Sequence, residues 1–247
     1  MSPPPADLVT LAGAALLIGL AKGGFGGPLP PLFATLLLSE RSTVAAAVVV
    51  ATPMLLTGDG FALWSYWCRW NLPQIRVLLP AGVLGVFVGL FLLRDLPDRA
   101  LRVSLGVAGL VVVLYKIHTQ WRGHEHYVRR AWHGPLAGLL GGATSAMLNA
   151  GGPPVISYLL LQRLSPLAFT ATNTLFFSVV NMLKVPGSLA IGVVDPTVLL
   201  WSLLVCPIVA GGVFLGRWFV LRVDPVVFDR FMTVILVLAC LWLIVSP

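Results

Sequence analysis

The chain has 247 residues, of which 58% are apolar and only 10% are charged, and its mean hydropathy is +0.94. A soluble globular domain carries roughly 25% charged residues, so this composition excludes one. The net charge of +7 does not indicate nucleic-acid binding, because the lysines and arginines lie between apolar runs, where they set the orientation of membrane proteins. The composition therefore predicts an all-α integral membrane protein without a nucleic-acid partner.

Apolar runs recur along the whole chain, at residues 8–21, 43–57, 77–93, 103–115, 134–148, 153–161, 197–221 and 226–245. Several approach the ~20 residues that a helix needs to span a bilayer. Two of the predicted helices are interrupted by glycine and proline. The first interruption is AKGGFGGPLPP at residues 21–31, and the second is NAGGPP at residues 149–154.

The two halves of the chain resemble each other. GGPLPPLFATLLL at 26–38 matches GGPPVISYLLLQR at 151–163, and PAGVLGVFVG at 80–89 matches PIVAGGVFLG at 207–216. Nearly constant offsets between the matches indicate a tandem duplication. We predict a first transmembrane repeat at 1–117, a polar cytoplasmic linker at 118–133 and a second transmembrane repeat at 134–247, each repeat having a broken helix followed by three further segments.

Two arrangements of the broken helices are open. Each one either crosses the membrane as a discontinuous helix, or enters, turns near the middle and leaves on the same side. If all segments cross, the 15 lysines and arginines other than Lys22 divide seven against eight. If the broken helices are re-entrant, ten lie on one side and five on the other, namely Arg41, Arg94, Arg99, Arg102 and Lys184. The positive-inside rule favours the second arrangement, which predicts two inverted repeats, each with a re-entrant helix and three transmembrane helices.

The interruptions predict an anion site. Broken backbone at membrane depth is tolerated only where it is buried in protein or lines a wet cavity. Half-helices that begin after Gly26–Gly27 and after Gly151–Gly152 present free N–H groups and the positive end of the helix dipole. We expect a small anion to bind between these two N-termini near the bilayer midplane. Close helix packing is the alternative role of the same glycines and prolines.

Polar side chains near the interruptions complete the predicted binding site. Lys22 precedes the first one, and a lysine inside the membrane can offset the charge of an anion. The amides and hydroxyl that can donate to an oxyanion are Asn149, Asn173, Thr174 and Asn181. Snorkelling of the lysine to the interface and helix–helix hydrogen bonding are the alternative roles.

Asp59 is the only carboxylate within a predicted full crossing, and it aligns with Asn181 of the second repeat. A buried carboxylate can carry a proton, so we predict that Asp59 takes part in proton coupling. Capping of the helix end or pairing with Arg69 is the alternative. The four histidines lie in the polar linker, and no HExxH, GxSxG or Cys/His cluster occurs, so we expect no metal, no cofactor and no enzymatic activity.

The segments GLAKGGFGGPLPPLF at 19–33 and GLLGGATSAMLNAGGPPVISYLLL at 138–161 resemble those of the sulfite exporter TauE/SafE family. The resemblance covers nearly the whole chain. It implies an exporter of small sulfur-containing anions, such as sulfite and sulfonates like sulfoacetate, in the bacterial inner membrane. The glycine-rich segment of the family corresponds here to Gly23, Gly24, Gly26 and Gly27, and to Gly151 and Gly152.

The composition, the repeat and the resemblance together predict a secondary transporter driven by protons or by the membrane potential. An anion channel, or a carrier of other small carboxylates or oxyanions, is the alternative. The expected partners are the small anionic substrate and the lipid bilayer, and a homodimer is left as an option.

Overall fold

The computed structural model describes residues 8–24, 44–95, 131–149, 151–162, 164–190 and 203–222, with single positions between and after these ranges. Within this part of the chain all regular structure is helical. The helices are α1 (Leu8–Lys22), α2 (Val44–Ser65), α3 (Leu72–Asp95), α4 (His133–Leu148), α5 (Gly152–Leu161), α6 (Pro166–Ala190) and α7 (Cys206–Val220). Gly26, Gly27 and most of the predicted linker lie outside the described residues.

One stretch among the described helices, Leu72–Leu92 in α3, is long and apolar enough to cross a membrane. Its mean hydropathy is 2.2, and only 33% of it is buried within the protein. Leu84, Phe87 and Phe91 are among its exposed side chains. Leu8–Lys22 and Cys206–Phe219 are shorter apolar helices. An apolar helix with an apolar exposed surface suits contact with lipid.

The helix α6 does not coincide with an apolar run in the sequence. Its 25 residues include three lysine or asparagine residues and several hydroxyls that lower its hydropathy. The buried ones among these polar side chains are Thr172, Thr174, Ser178, Asn181 and Lys184. A helix that carries its polar residues inward lines the interior of the bundle rather than facing lipid. This helix therefore matches none of the apolar runs, although it carries five of the twelve buried polar residues in the described part of the chain.

Glycines bring helices from the two halves into close parallel contact. Gly19 of α1 lies against Gly212 of α7, and Gly23 lies against Gly216. The residue numbers of the contacting glycines increase in the same direction along both helices, so α1 and α7 run parallel. The helices α3 and α4 pack in the same way, with Gly82 against Gly142. Small residues allow such close backbone approach between membrane helices.

The helices α2 and α6 pack antiparallel. Asp59 in α2 accepts a hydrogen bond from Asn181 in α6. Just past the end of α2, the backbone N–H of Asn71 donates to Thr172, near the start of α6. The residue numbers of the contacting residues increase along α2 while they decrease along α6, so the two helices run in opposite directions.

The helix α5 folds back along α4 as a helical hairpin. Val155 in α5 packs on Gly141, and Tyr158 reaches Gly134 near the start of α4. At the open end of the hairpin, the hydroxyl of Tyr158 donates to Oε1 of Gln74 over 2.7 Å. The amide of Gln74 donates to Oε1 of Gln162 over 3.4 Å. These buried hydrogen bonds tie α5 to the start of α3.

The neighbouring glycines Gly211 and Gly212 give a matched test of the α1–α7 contact. A Cβ atom at Gly212 would lie 2.9 Å from the Cα of Gly19, whereas one at Gly211 would meet nothing within 4 Å. Gly212→Leu should therefore force α1 and α7 apart and lower the thermal stability of the purified protein in detergent. Gly211→Leu should leave the melting temperature close to that of the wild type. Equal melting temperatures for the two variants would contradict the packing described above.

Candidate functional site

The first helix of each half ends in the same way. Asn149 caps α4 with a left-handed backbone, at φ 54° and ψ 23°, and its N–H donates to the carbonyl of Ser145 over 2.9 Å. Gly24, which aligns with Asn149 in the repeat, has φ 97° just past the end of α1. Glycine and asparagine are the residues that adopt this conformation at the lowest cost. The two residues thus differ in type but have the same backbone role.

The second interruption places two glycine amides at the start of α5. Pro153 and Pro154 follow directly and have no N–H group, so Gly151 and Gly152 supply the amide donors at this end. A side chain at Gly151 would overlap the carbonyl oxygen of Gly141 and lie 2.7 Å from the Cβ of Ser145. Gly151 therefore allows close packing inside the hairpin, which is the alternative role considered for these glycines. It also borders a cavity.

A polar cavity of about 40 Å³ opens at this interruption, between α1, α2, α4, α5 and α6. Such a volume holds a few water molecules or one small oxyanion. Among the residues that line it are six that the sequence predicts for the binding site: Lys22, Asn149, Gly151, Gly152, Asn173 and Asn181. The side-chain oxygen Oδ1 of Asn173 is buried and has no hydrogen-bond partner among the described residues.

Lys22 forms an ion pair with Asp59 behind the cavity wall. The Nζ of Lys22 lies 2.5 Å from Oδ1 of Asp59, and the two side chains are 10% and 3% exposed. Oδ2 of the same carboxylate accepts a hydrogen bond of 2.7 Å from the amide of Asn181. Both oxygens of Asp59 are therefore bonded, and its partners are Lys22 and Asn181 rather than Arg69.

Lys184 is a second buried cation beside the cavity. Its Nζ donates to Oδ1 of Asn149 over 2.7 Å and to the carbonyl and hydroxyl oxygens of Ser145, both over 3.1 Å. The residue is 1% exposed. The count of loop charges places Lys184 in an external loop, and that placement is wrong, because the side chain points into the bundle.

Asn149 also joins the second interruption to the segment that follows the first. Its Nδ2 donates to Oγ1 of Thr35 over 3.0 Å, and the Thr35 hydroxyl donates to the carbonyl of Pro31 over 2.9 Å. Pro31 also lines the polar cavity. The helical residues after the first interruption thus lie next to the second one, although the N-terminal residues of that segment are not described.

The described residues of the predicted binding site that do not line the cavity are Gly23, Gly24 and Thr174. Gly23 packs on α7, and its carbonyl accepts a hydrogen bond of 2.9 Å from the hydroxyl of Tyr66. Thr174 is buried, and its carbonyl accepts from the hydroxyl of Ser178. Neither glycine of the pair Gly23–Gly24 is among the lining residues. No group of three or more His, Cys, Asp or Glu suited to a metal ion occurs in the described part of the chain.

Sequence reasoning left Lys184 and Thr35 out of the predicted site. Lys184 follows Asn181 by three residues on the same helix, a spacing that puts the two on one face. That spacing is the signal that could have assigned Lys184 to the site. Thr35 offers no comparable signal, because a threonine in an apolar helix usually bonds to its own backbone.

A family model described as Sulfite exporter TauE/SafE matches residues 9–243 of the chain. The chain belongs to this family. The match confirms the resemblance seen in the glycine-rich segments. The family consists of membrane transporters described as sulfite exporters. Comparisons with curated proteins and with solved structures gave no match.

Membership of the TauE/SafE family gives the cavity a chemical context. In this TauE/SafE chain, the polar cavity combines an ammonium group, two glycine amides and three asparagine side chains in one small space. Amide N–H groups and ammonium groups are the donors that hold oxyanions in proteins. The arrangement can therefore bind a small oxyanion within the bundle.

Proposed function

We propose that this protein is a secondary transporter that exports small sulfur oxyanions, such as sulfite or sulfonates, through the bacterial inner membrane. The TauE/SafE match supports the class of substrate. The observation that carries the binding site is the polar cavity, which Lys22, Gly151 and Gly152 all line. The proposed site lies at a half-helix N-terminus, as the broken helices predict.

The helix contacts support two inverted repeats. In that arrangement α1 of the first repeat corresponds to α4 of the second, and α3 corresponds to α7. A two-fold axis in the membrane plane then relates the α1–α7 contact to the α3–α4 contact. The same axis makes corresponding helices antiparallel where they meet. The antiparallel contact of α2 with α6 agrees with this axis. If the two repeats had the same orientation in the membrane, α2 and α6 would pack parallel.

The hairpin of α4 and α5 supports the re-entrant arrangement. Because α5 returns along α4 rather than continuing its direction, both ends of the hairpin point to the same side. Three full crossings then remain in each repeat, with the 118–133 linker in the cytoplasm. With Lys184 removed from the loop charges, ten cations stand against four, which strengthens the charge bias behind this orientation.

We further propose that Asp59 couples export to protons. Its carboxylate holds the ammonium group of Lys22 at the edge of the cavity. A change in the protonation of Asp59 alters the charge that holds Lys22 beside the cavity, and so couples the state of the binding site to protons.

Flux measurements on reconstituted protein test this function. Proteoliposomes loaded with unlabelled sulfite should take up ³⁵S-sulfite by counterflow, with saturation, whereas liposomes without protein should not. Asp59→Asn should stay folded and lose uptake driven by a pH gradient. Conductance without counterflow would show a channel instead, and an unchanged response of Asp59→Asn to the pH gradient would remove the coupling role.

A further inference from the structure

Among the described residues, three charged side chains face the region of the polar cavity, one from each of three helices. Lys22 comes from α1, Asp59 from α2 and Lys184 from α6. The described residues of α4 and α5 place no charged side chain there. Arg217 of α7 is not among the residues that line the cavity, and its guanidinium lies 5.6 Å from the ring of Tyr66. Two cations and one anion leave one positive charge uncompensated.

The contacts of Lys184 fit an ammonium group. An ammonium group has three N–H donors and no acceptor, and three oxygen atoms surround this one: two from Ser145 and one from Asn149. These oxygens belong to neutral groups. No described carboxylate bonds to Lys184, so in the protonated form its donors are satisfied by hydrogen bonds and its charge has no bonded counter-ion.

Asp59 is the counter-ion of Lys22 and is not part of the cavity wall. Its two oxygens are taken by Lys22 and Asn181, both of which line the cavity, while Asp59 itself does not. The carboxylate therefore cancels one of the two positive charges from behind the wall. An anion in the cavity meets a net field of one positive charge.

We propose that this balance sets the valence of the bound anion, so that the cavity prefers singly charged sulfur oxyanions to dianions. Hydrogensulfite and monosulfonates belong to the first class, and sulfate and sulfoacetate belong to the second. A dianion leaves one negative charge unbalanced in surroundings of low dielectric, which is costly. This inference rests on the proposed function and narrows its substrate class.

Binding of two tetrahedral anions of similar size tests the preference. Methanesulfonate carries one charge and sulfate carries two, at any pH near neutrality. With purified protein in detergent at constant ionic strength, each anion is used to displace ³⁵S-sulfite. The wild type should bind methanesulfonate at least roughly tenfold more tightly than sulfate, since one unbalanced charge at a few ångströms exceeds the energy of a tenfold ratio. Isethionate and sulfoacetate form a second pair with the same difference in charge.

Two variants change the charge at nearly constant shape. Asp59→Asn raises the balance to two positive charges, so direct binding of ³⁵S-sulfate should become at least as tight as that of methanesulfonate. Adding Lys184→Gln to Asp59→Asn restores a balance of one, and the preference for the single charge should return. If Asp59→Asn does not fold, the double variant and the two wild-type pairs still decide the question.

The outcomes separate this inference from the proposed function. If the wild type binds both charge classes with equal affinity, or if Asp59→Asn keeps the preference of the wild type, the valence proposal is overturned while anion export stands. If no sulfur oxyanion binds to the wild type in any form, the proposed site fails, and the valence proposal fails with it.

Discussion

Replacing Lys22 with methionine should abolish sulfite counterflow and destabilise the protein. The substitution leaves the carboxylate of Asp59, now 3% exposed, with only the Asn181 amide as a partner. Loss of one member of a buried ion pair costs about 3–5 kcal/mol, because the remaining charge is not compensated. The melting temperature of the purified variant in detergent measures the destabilisation, and proteoliposome counterflow measures the transport.

The double variant Lys22→Met/Asp59→Asn separates the two effects. Because it removes both charges, it should recover much of the melting temperature that the single variant loses. It should not recover counterflow if the ammonium group of Lys22 binds the anion. Full transport by the double variant would reduce the ion pair to a structural role and leave the cavity without its cationic ligand.

Lys184→Met should produce the second-largest loss of function. Three oxygen acceptors around Nζ would lose this donor. The Ser145 carbonyl keeps the N–H of Asn149, and each buried polar group left unsatisfied costs about 1–3 kcal/mol. These acceptors belong to Ser145 and Asn149, which shape the turn between α4 and α5. We therefore expect weaker binding of ³⁵S-sulfite together with a lower melting temperature.

Met182→Leu is the matched control, because Met182 lies two residues away on the same helix and is 70% exposed. It should leave both binding and stability near their wild-type values. The role assigned to Lys184 would be untenable if Lys184→Met behaved like this control in both measurements.

The sequence predicts the main features of the fold because they depend on local chemistry. Glycine and proline at matching places in two repeats indicate both helix interruptions, and the structure confirms the second one between α4 and α5. The alignment of Asp59 with Asn181 identifies two residues that turn out to bond to each other. Counterpart positions meet in this way when they lie near the axis that relates two repeats.

Other features depend on tertiary packing, which a single sequence does not carry. The glycines of the first interruption look equivalent in sequence, yet Gly23 packs against the backbone of α7. Lys184 lies in the second half of a polar helix. A lysine among polar residues gives the same sequence pattern whether it lies in a loop or in the core of the bundle. Only its contacts with Ser145 and Asn149 assign it to the cavity.

The location of the bound anion is the most direct test of the central claim that the interrupted helices cradle it. Selenite resembles sulfite, and its selenium atom scatters anomalously, so an anomalous difference map from crystals soaked in selenite gives its position. The map should contain a peak within hydrogen-bonding distance of Lys22 Nζ and of the amide of Gly151 or Gly152. An anomalous peak elsewhere in the bundle, with this cavity empty of selenium, would contradict the claim.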